Sequence, residues 1–126
     1  MALLYEDLTG KILEACFEVS RELGSGFLES VYEKALLIAL RQKGISAKAQ
    51  VPLSVLFRGE IVGEFFADIM VNDLVVVELK SAKSLAPEHQ AQLINYLKAT
   101  GIEVGLLVNF GSPRLEYKRV YRQSKD

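Results

Sequence analysis

Residues 104–110, Val-Gly-Leu-Leu-Val-Asn-Phe, form a near-continuous apolar run with Gly101 before it and Gly111-Ser112-Pro113 after it. A run this short reads as a strand, and a strand without polar alternation has both faces covered. The rest of the chain must supply apolar layers for two sides of a sheet. Leu8, Ile12, Ala15 or Cys16, Val19 and Leu23 recur at helical spacing within residues 4–23, and Gly24-Ser25-Gly26 ends that helix. A second helix is expected over residues 27–43, apolar at Leu28, Val31, Ala35, Ile38 and Ala39 and closed by Gly44. β-Branched and aromatic residues then take over. They predict strands at 47–57 and 61–71 around a turn Arg58-Gly59-Glu60, and a third strand at 74–80. Pro87 suits the first turn of a third helix running to residue 100, and residues 115–121 read as a last strand.

The order α-α-β-β-β-α-β-β predicts an α/β fold in one domain over residues 1–126. A three-stranded meander and a crossover helix into a fourth strand give a central mixed sheet flanked by helices. The opening residues MALLYEDLTG carry no basic stretch and no small-residue cleavage site. The longest apolar stretches fall far short of the ~20 residues of a spanning helix. A soluble, cytoplasmic protein with no membrane partner is expected. Cys16 is the only cysteine, cannot form an internal disulfide, and reads as a small buried hydrophobe.

Charge narrows the function. The formal net charge is −1, whereas strong nucleic-acid binders are usually basic. Glu6, Asp7, Glu14, Glu18, Glu22, Glu29 and Glu33 crowd the first third of the chain, and Arg114, Lys118, Arg119, Arg122 and Lys125 the tail. A globally electrostatic DNA-binder is excluded; a local basic strip is not.

A few charged residues interrupt apolar strands. Asp68 lies inside Phe65-Phe66-Ala67-Asp68-Ile69-Met70, and Glu78 and Lys80 lie inside Val75-Val76-Val77-Glu78-Leu79-Lys80. Strand side chains alternate, so Glu78 and Lys80 project from one face. Burying a carboxylate in such surroundings costs several kcal/mol unless it is paired or bound to a metal. Two neighbouring carboxylates suit a divalent cation, Mg²⁺ or Mn²⁺. A lysine beside them can hold a water or stabilise charge on a phosphate. Together these groups suit metal-assisted hydrolysis of a phosphodiester.

Asp68 followed by Glu78-Leu79-Lys80 on the next strand, and then by a helix, resembles the PD-(D/E)xK nuclease superfamily, with Ala67 in place of the name-giving proline. The resemblance implies a restriction-endonuclease-like fold. It also implies metal ligation by Asp68, Glu78 and the Leu79 carbonyl, with Lys80 assisting the attacking water. Gly26-Phe27-Leu28-Glu29-Ser30-Val31-Tyr32 is similar to the signature of the small GxxExxY proteins. That similarity brings in Glu29 as a further catalytic and metal-binding acid and Tyr32 as a substrate contact. Read structurally, Glu29 is simply an acid stabilised in the first turn of a helix. Gln92 and Tyr96, one helical turn apart, resemble the Q-x-x-x-Y motif of RecB-type nucleases, which lines the site and holds substrate. Lys83 reads equally as a phosphate contact or a loop lysine. His89 is a candidate ligand or base, though a solvated helix-face histidine looks the same. Tyr117 and Tyr121, alternating with Lys118, Arg119 and Arg122, could stack on nucleic acid or protect a sheet edge.

The loop between the second and third strands decides whether this site exists. A two-residue turn at Asn72-Asp73 sets Asp68 opposite Val77 and turns Glu78 to the other face. A three-residue loop, or a bulge of equal effect, pairs Val71 with Val75 and sets Asp68 opposite Glu78. The expected protein is a Mg²⁺- or Mn²⁺-dependent nuclease acting on nucleic acid, with DNA favoured; size makes a homodimer plausible, since one small domain covers little duplex and small resolvase-like relatives work in pairs. The alternative is a non-catalytic nucleic-acid-binding or protein-interaction module on the same fold.

Overall fold

Three helices and five strands appear in the expected order in the computed structural model, which describes residues 5–123. Helices α1 (Glu6–Leu23) and α2 (Glu29–Gln42) lead into strands β1 (Ala47–Phe57), β2 (Glu60–Val71) and β3 (Val75–Lys80). Helix α3 (Pro87–Thr100) crosses over to β4 (Val104–Asn109), and β5 (Glu116–Tyr121) closes the sheet. Leu4 of the first expected helix and Lys125 of the basic tail lie outside the described residues.

The sheet runs β1-β2-β3-β4-β5. Only β3 and β4 are parallel, as a helical crossover between them requires. The central run is buried along its whole length, because helices cover both faces. On one side α1 and α2 pack Ile12, Cys16, Leu36 and Leu40 against Ile69, Val77 and Leu106. On the other, Leu93 and Leu97 of α3 meet Met70, Val76, Leu107 and Val120. Gly105 lets α3 sit close to the sheet, since a Cβ there would lie 3.1 Å from Leu93. Cys16 is fully buried, and desolvation pushes its thiol up to about 12. No helix among the described residues is long and apolar enough to cross a membrane.

The boundaries depart from expectation where tertiary bonds capture the backbone. Helix α2 starts at Glu29 rather than residue 27, because Phe27 donates its N–H to the Tyr32 hydroxyl and accepts from Ser81 Oγ. Leu74 belongs to a turn, not to β3. Glu60 already pairs with Phe57 and so lies in β2 rather than in the turn.

Candidate active site

The site is set by the β2–β3 turn. Asn72 and Asp73 both carry positive φ, 51° and 57°, a conformation that short polar residues tolerate best. Leu74 N–H donates to the Val71 carbonyl at 2.9 Å, yet Val71 pairs with Val75, Met70 with Val76 and Ile69 with Val77. Leu74 is thus an additional residue in the turn. This is the register that puts Asp68 level with Glu78.

Past Ile69 and Val77 the two strands part, and side chains take over the bonds of the ladder. Asp68 Oδ2 accepts from the Leu79 N–H at 2.7 Å, and Glu78 Oε1 accepts from the Asp68 N–H at 3.4 Å. Ala67 packs on the α3 side while Ile69 packs on the α1–α2 side. The face alternation therefore breaks at Asp68. Its neighbour across β1, Gln50, has φ 52°. Gln50 Nε2 reaches both Glu33 Oε2 at 2.8 Å and Asp68 Oδ1 at 3.4 Å. The Lys80 carbonyl accepts from Phe110 N–H on the β4 side. One residue back, the Leu79 carbonyl faces the opposite way, toward the gap that β2 has left.

Glu78 is the strained member of the pair. Burial first, then the Asp68 charge and, more weakly, that of Glu29, push its carboxyl up to about 7. The Asp68 N–H and Lys80 only partly offset this. Two carboxylates pressed together in a partly desolvated notch fit a divalent cation. Glu29, the further acid expected in the metal shell, adds its charge at Glu78. No group of three His, Cys, Asp or Glu residues among those described is gathered closely enough to hold a metal. Glu29 is exposed at the start of α2, and the ion would complete its shell with the Leu79 carbonyl, water or phosphate.

The raised carboxyl has a measurable consequence without metal. A group whose folded pKa lies above its ordinary 4.5 stabilises the fold fully below that ordinary value. It loses this contribution as pH rises through about 7. The metal-free protein should therefore lose about 2 kcal/mol from Glu78 between about pH 5 and pH 8. Glu78→Gln should remove that slope and melt higher than the parent at the upper pH. Melting curves in chelator at both pH values check this, and equal slopes in the two proteins would refute it.

The G-x-x-E-x-x-Y segment is a clamp that positions Glu29. Gly26 takes φ 115°, a backbone conformation that residues with a Cβ rarely adopt. Tyr32 is fully buried, and its hydroxyl donates to the Gly24 carbonyl at 2.6 Å while accepting from Phe27 N–H at 3.2 Å. Its ring stacks on Phe110 with centroids 4.6 Å apart. Tyr32 is thus sealed from any substrate, and its expected contact role is corrected to one of holding the loop.

Gln92 Nε2 donates to the Tyr96 hydroxyl at 2.8 Å, and the Tyr96 ring stacks on Phe65 of β2 at 3.6 Å. The pair lies on the α3 side, three residues along β2 from Asp68. His89 Nδ1 accepts from Ala86 N–H at 3.1 Å and so caps α3. Among the described residues of the tail, Arg114 and Lys118 are exposed. Arg119 bonds Thr9, Arg122 pairs with Glu103 at 2.7 Å, and Tyr117 packs edge-on to Phe17. Lys80 and Lys83 enter no ion pair among the described residues.

A cleft of about 550 Å³ is walled by residues 26–29 on one side and by 81–83 with Gly111 on the other, so Glu29 lines it while Asp68 and Glu78 do not. The second wall is pinned by Asn109, which is fully buried. Its Oδ1 accepts from Ala82 and Gly111 N–H, and its Nδ2 donates to the Ala82 carbonyl and to Glu116. Asn109 interrupts an otherwise apolar strand and is legible in the sequence for that reason. Glu33 shares the helix face of Glu29 and is equally legible. Nothing in the sequence marks Gln50.

The model of the PD-(D/E)XK nuclease superfamily matches residues 6–120. No curated protein matches the chain. Among solved structures, the crystal structure of SSO0001 aligns at a TM-score of 0.58 and 18% identity, over 96% of this chain and 61% of that one. The likeness concerns the fold, and this chain spans about 61% of that protein's length.

Proposed function

We propose that this chain, which belongs to the PD-(D/E)XK nuclease superfamily, hydrolyses phosphodiester bonds of nucleic acid, with DNA as its polymer. The observation that carries the reading is the register setting Asp68 beside a partly buried Glu78 at the point where β2 and β3 part. Nucleases of this superfamily generally use divalent metal ions. Asp68, Glu78 and the Leu79 carbonyl would hold the ion, Mg²⁺ or Mn²⁺. When bound it would supply Lewis-acid polarisation of the phosphoryl oxygen and a water of lowered pKa.

The chain's own groups do the rest. Lys80 shares the face of Glu78 and is free of ion pairs among the described residues; it orients the attacking water and balances charge on the phosphate. The Leu79 N–H fixes Asp68, so the acid is held before substrate arrives. Glu29, clamped through Tyr32, adds negative charge across the cleft and acts through water. Gln92 and Tyr96 would steady the polymer on the α3 side.

The test is cleavage of single-stranded DNA, duplex DNA and RNA by the purified protein. Cleavage with Mg²⁺ or Mn²⁺, abolished by chelator and restored by added metal, is the expected result. Binding without cleavage under every metal condition would overturn the nuclease reading and leave a binding module.

A further inference from the structure

The loop between α1 and α2 is rigid where it is apolar and exposed. Phe27 is 46% exposed and Leu28 77%, yet both backbone polar groups of Phe27 are bonded, the N–H to Tyr32 and the carbonyl to Ser81 Oγ at 2.7 Å. The Phe27 ring meets Tyr32 edge-on at 6.0 Å, and Tyr32 in turn stacks on the buried Phe110. Phe27 is therefore the exposed end of an anchored aromatic column. A solvent-facing ring held this firmly is unlike a loop that merely tolerates an apolar residue.

This ring walls the cleft of about 550 Å³, within the range of about 300–1,000 Å³ typical of small-ligand sites. Lys83, exposed and without an ion-pair partner among the described residues, stands on the opposite wall. Charge selects between kinds of nucleic acid. At a net charge of −1 the chain as a whole has no excess of the cationic charge that favours duplex binding. A single strand releases fewer counterions per phosphate than a duplex and adds base–aromatic stacking, worth about 1–3 kcal/mol per base.

We infer that the cleft holds an unpaired nucleobase against Phe27 with its phosphate toward Lys83, so that the substrate is single-stranded or frayed nucleic acid rather than intact duplex. That this base belongs to a substrate rests on the proposed nuclease function; the base-binding cleft does not. A single strand needs one site per cut, so this assignment does not require the homodimer expected from size.

The chain contains no tryptophan, so Phe27→Trp installs a single reporter at the proposed stacking surface. With Ca²⁺ replacing Mg²⁺ to suppress turnover, oligothymidylate should quench its emission, and a blunt duplex of similar length should not. In the parent background, Phe27→Ala should weaken oligothymidylate binding by about 10- to 100-fold. Phe27→Leu, which keeps the apolar packing on Tyr32, should weaken it comparably while melting like the parent. Lys83→Gln should lower the salt dependence of binding by about one unit of slope. Unchanged affinity in both Phe27 variants, or equal quenching by duplex, overturns the inference. If duplex is still cleaved in that case, the nuclease reading stands alone. Phe27-dependent binding with no cleavage in any metal upholds the cleft and overturns the nuclease.

Discussion

Lys80→Met should lower cleavage by about a thousandfold or more while leaving the affinity for Mn²⁺ nearly unchanged. Loss of one positioned catalytic group commonly costs about 10²–10⁴ in rate, and methionine preserves most of the aliphatic stem. Asp68→Asn should abolish cleavage by a different route, because it removes one of the two charges that would attract the ion. The amide oxygen can still accept from the Leu79 N–H, so the bond now 2.7 Å long survives. Gln50 can rotate its own amide to meet the new donor. Calorimetric titration with Mn²⁺ separates the variants: metal binding is retained in Lys80→Met and lost in Asp68→Asn. Melting curves close to the parent's would show that neither loss is one of folding. Cleavage undiminished in Lys80→Met would remove the lysine from the chemistry.

Gly111→Ala should produce the largest loss of stability from the addition of a single methyl group. A Cβ at Gly111 would run into the carbonyl oxygen and the nitrogen of Ala82 and lie 2.6 Å from the Ser81 carbonyl carbon. These are all backbone atoms, so no rotamer change relieves the clash. Residues 81–83 must move, and with them the Asn109 bonds to Ala82 and Gly111. A cost of about 3 kcal/mol follows, or a fall of about 10 °C in Tm. Cleavage should fall with it, since the displaced segment directly follows Lys80 and walls the cleft. Gly10, in α1, is the control, because a methyl group added there would meet nothing within 4 Å. There the same change should stabilise by about 0.5–1 kcal/mol through helix propensity alone. Equal melting temperatures for the two variants would refute the contrast.

How much of this the amino-acid order discloses depends on the range of the interaction. Periodicity and turn residues suffice for the element order, because the run at 104–110 demands two covering layers and the helices to form them are plain. The β2–β3 register is legible as a choice between two loops. Sequence alone does not resolve it, since Asn72-Asp73 fits a two-residue turn equally well until the extra residue Leu74 is seen. The substrate role expected of Tyr32 fails for a physical reason. A tyrosine three residues beyond an acid on one helix face looks like part of a site, and only the fold shows its hydroxyl turned to Gly24 and Phe27. The apolarity of residues 27–28 suits a helical pattern; their backbone bonds to Tyr32 and Ser81 arise from contacts that no local propensity encodes. Glu29 keeps its place at the start of α2, where its charge is felt at Glu78.

The two halves of the site also differ in how far along the chain they reach. Asp68 and Leu79 are joined across 11 residues by one hairpin. The segment behind Lys80 is held across 27 residues by Asn109 and across 31 by the Leu85–Glu116 bond. Leu79 is buried in the sheet whereas Ala82 and Leu85 are only partly buried in a loop, and segments with fewer buried contacts open more readily in partial unfolding. Hydrogen exchange should therefore reach the amides of Ala82 and Leu85 before that of Leu79. Under mild denaturation the protein would keep its carboxylate notch after its lysine had lost alignment: a fold that lets go of its reactivity before its ion.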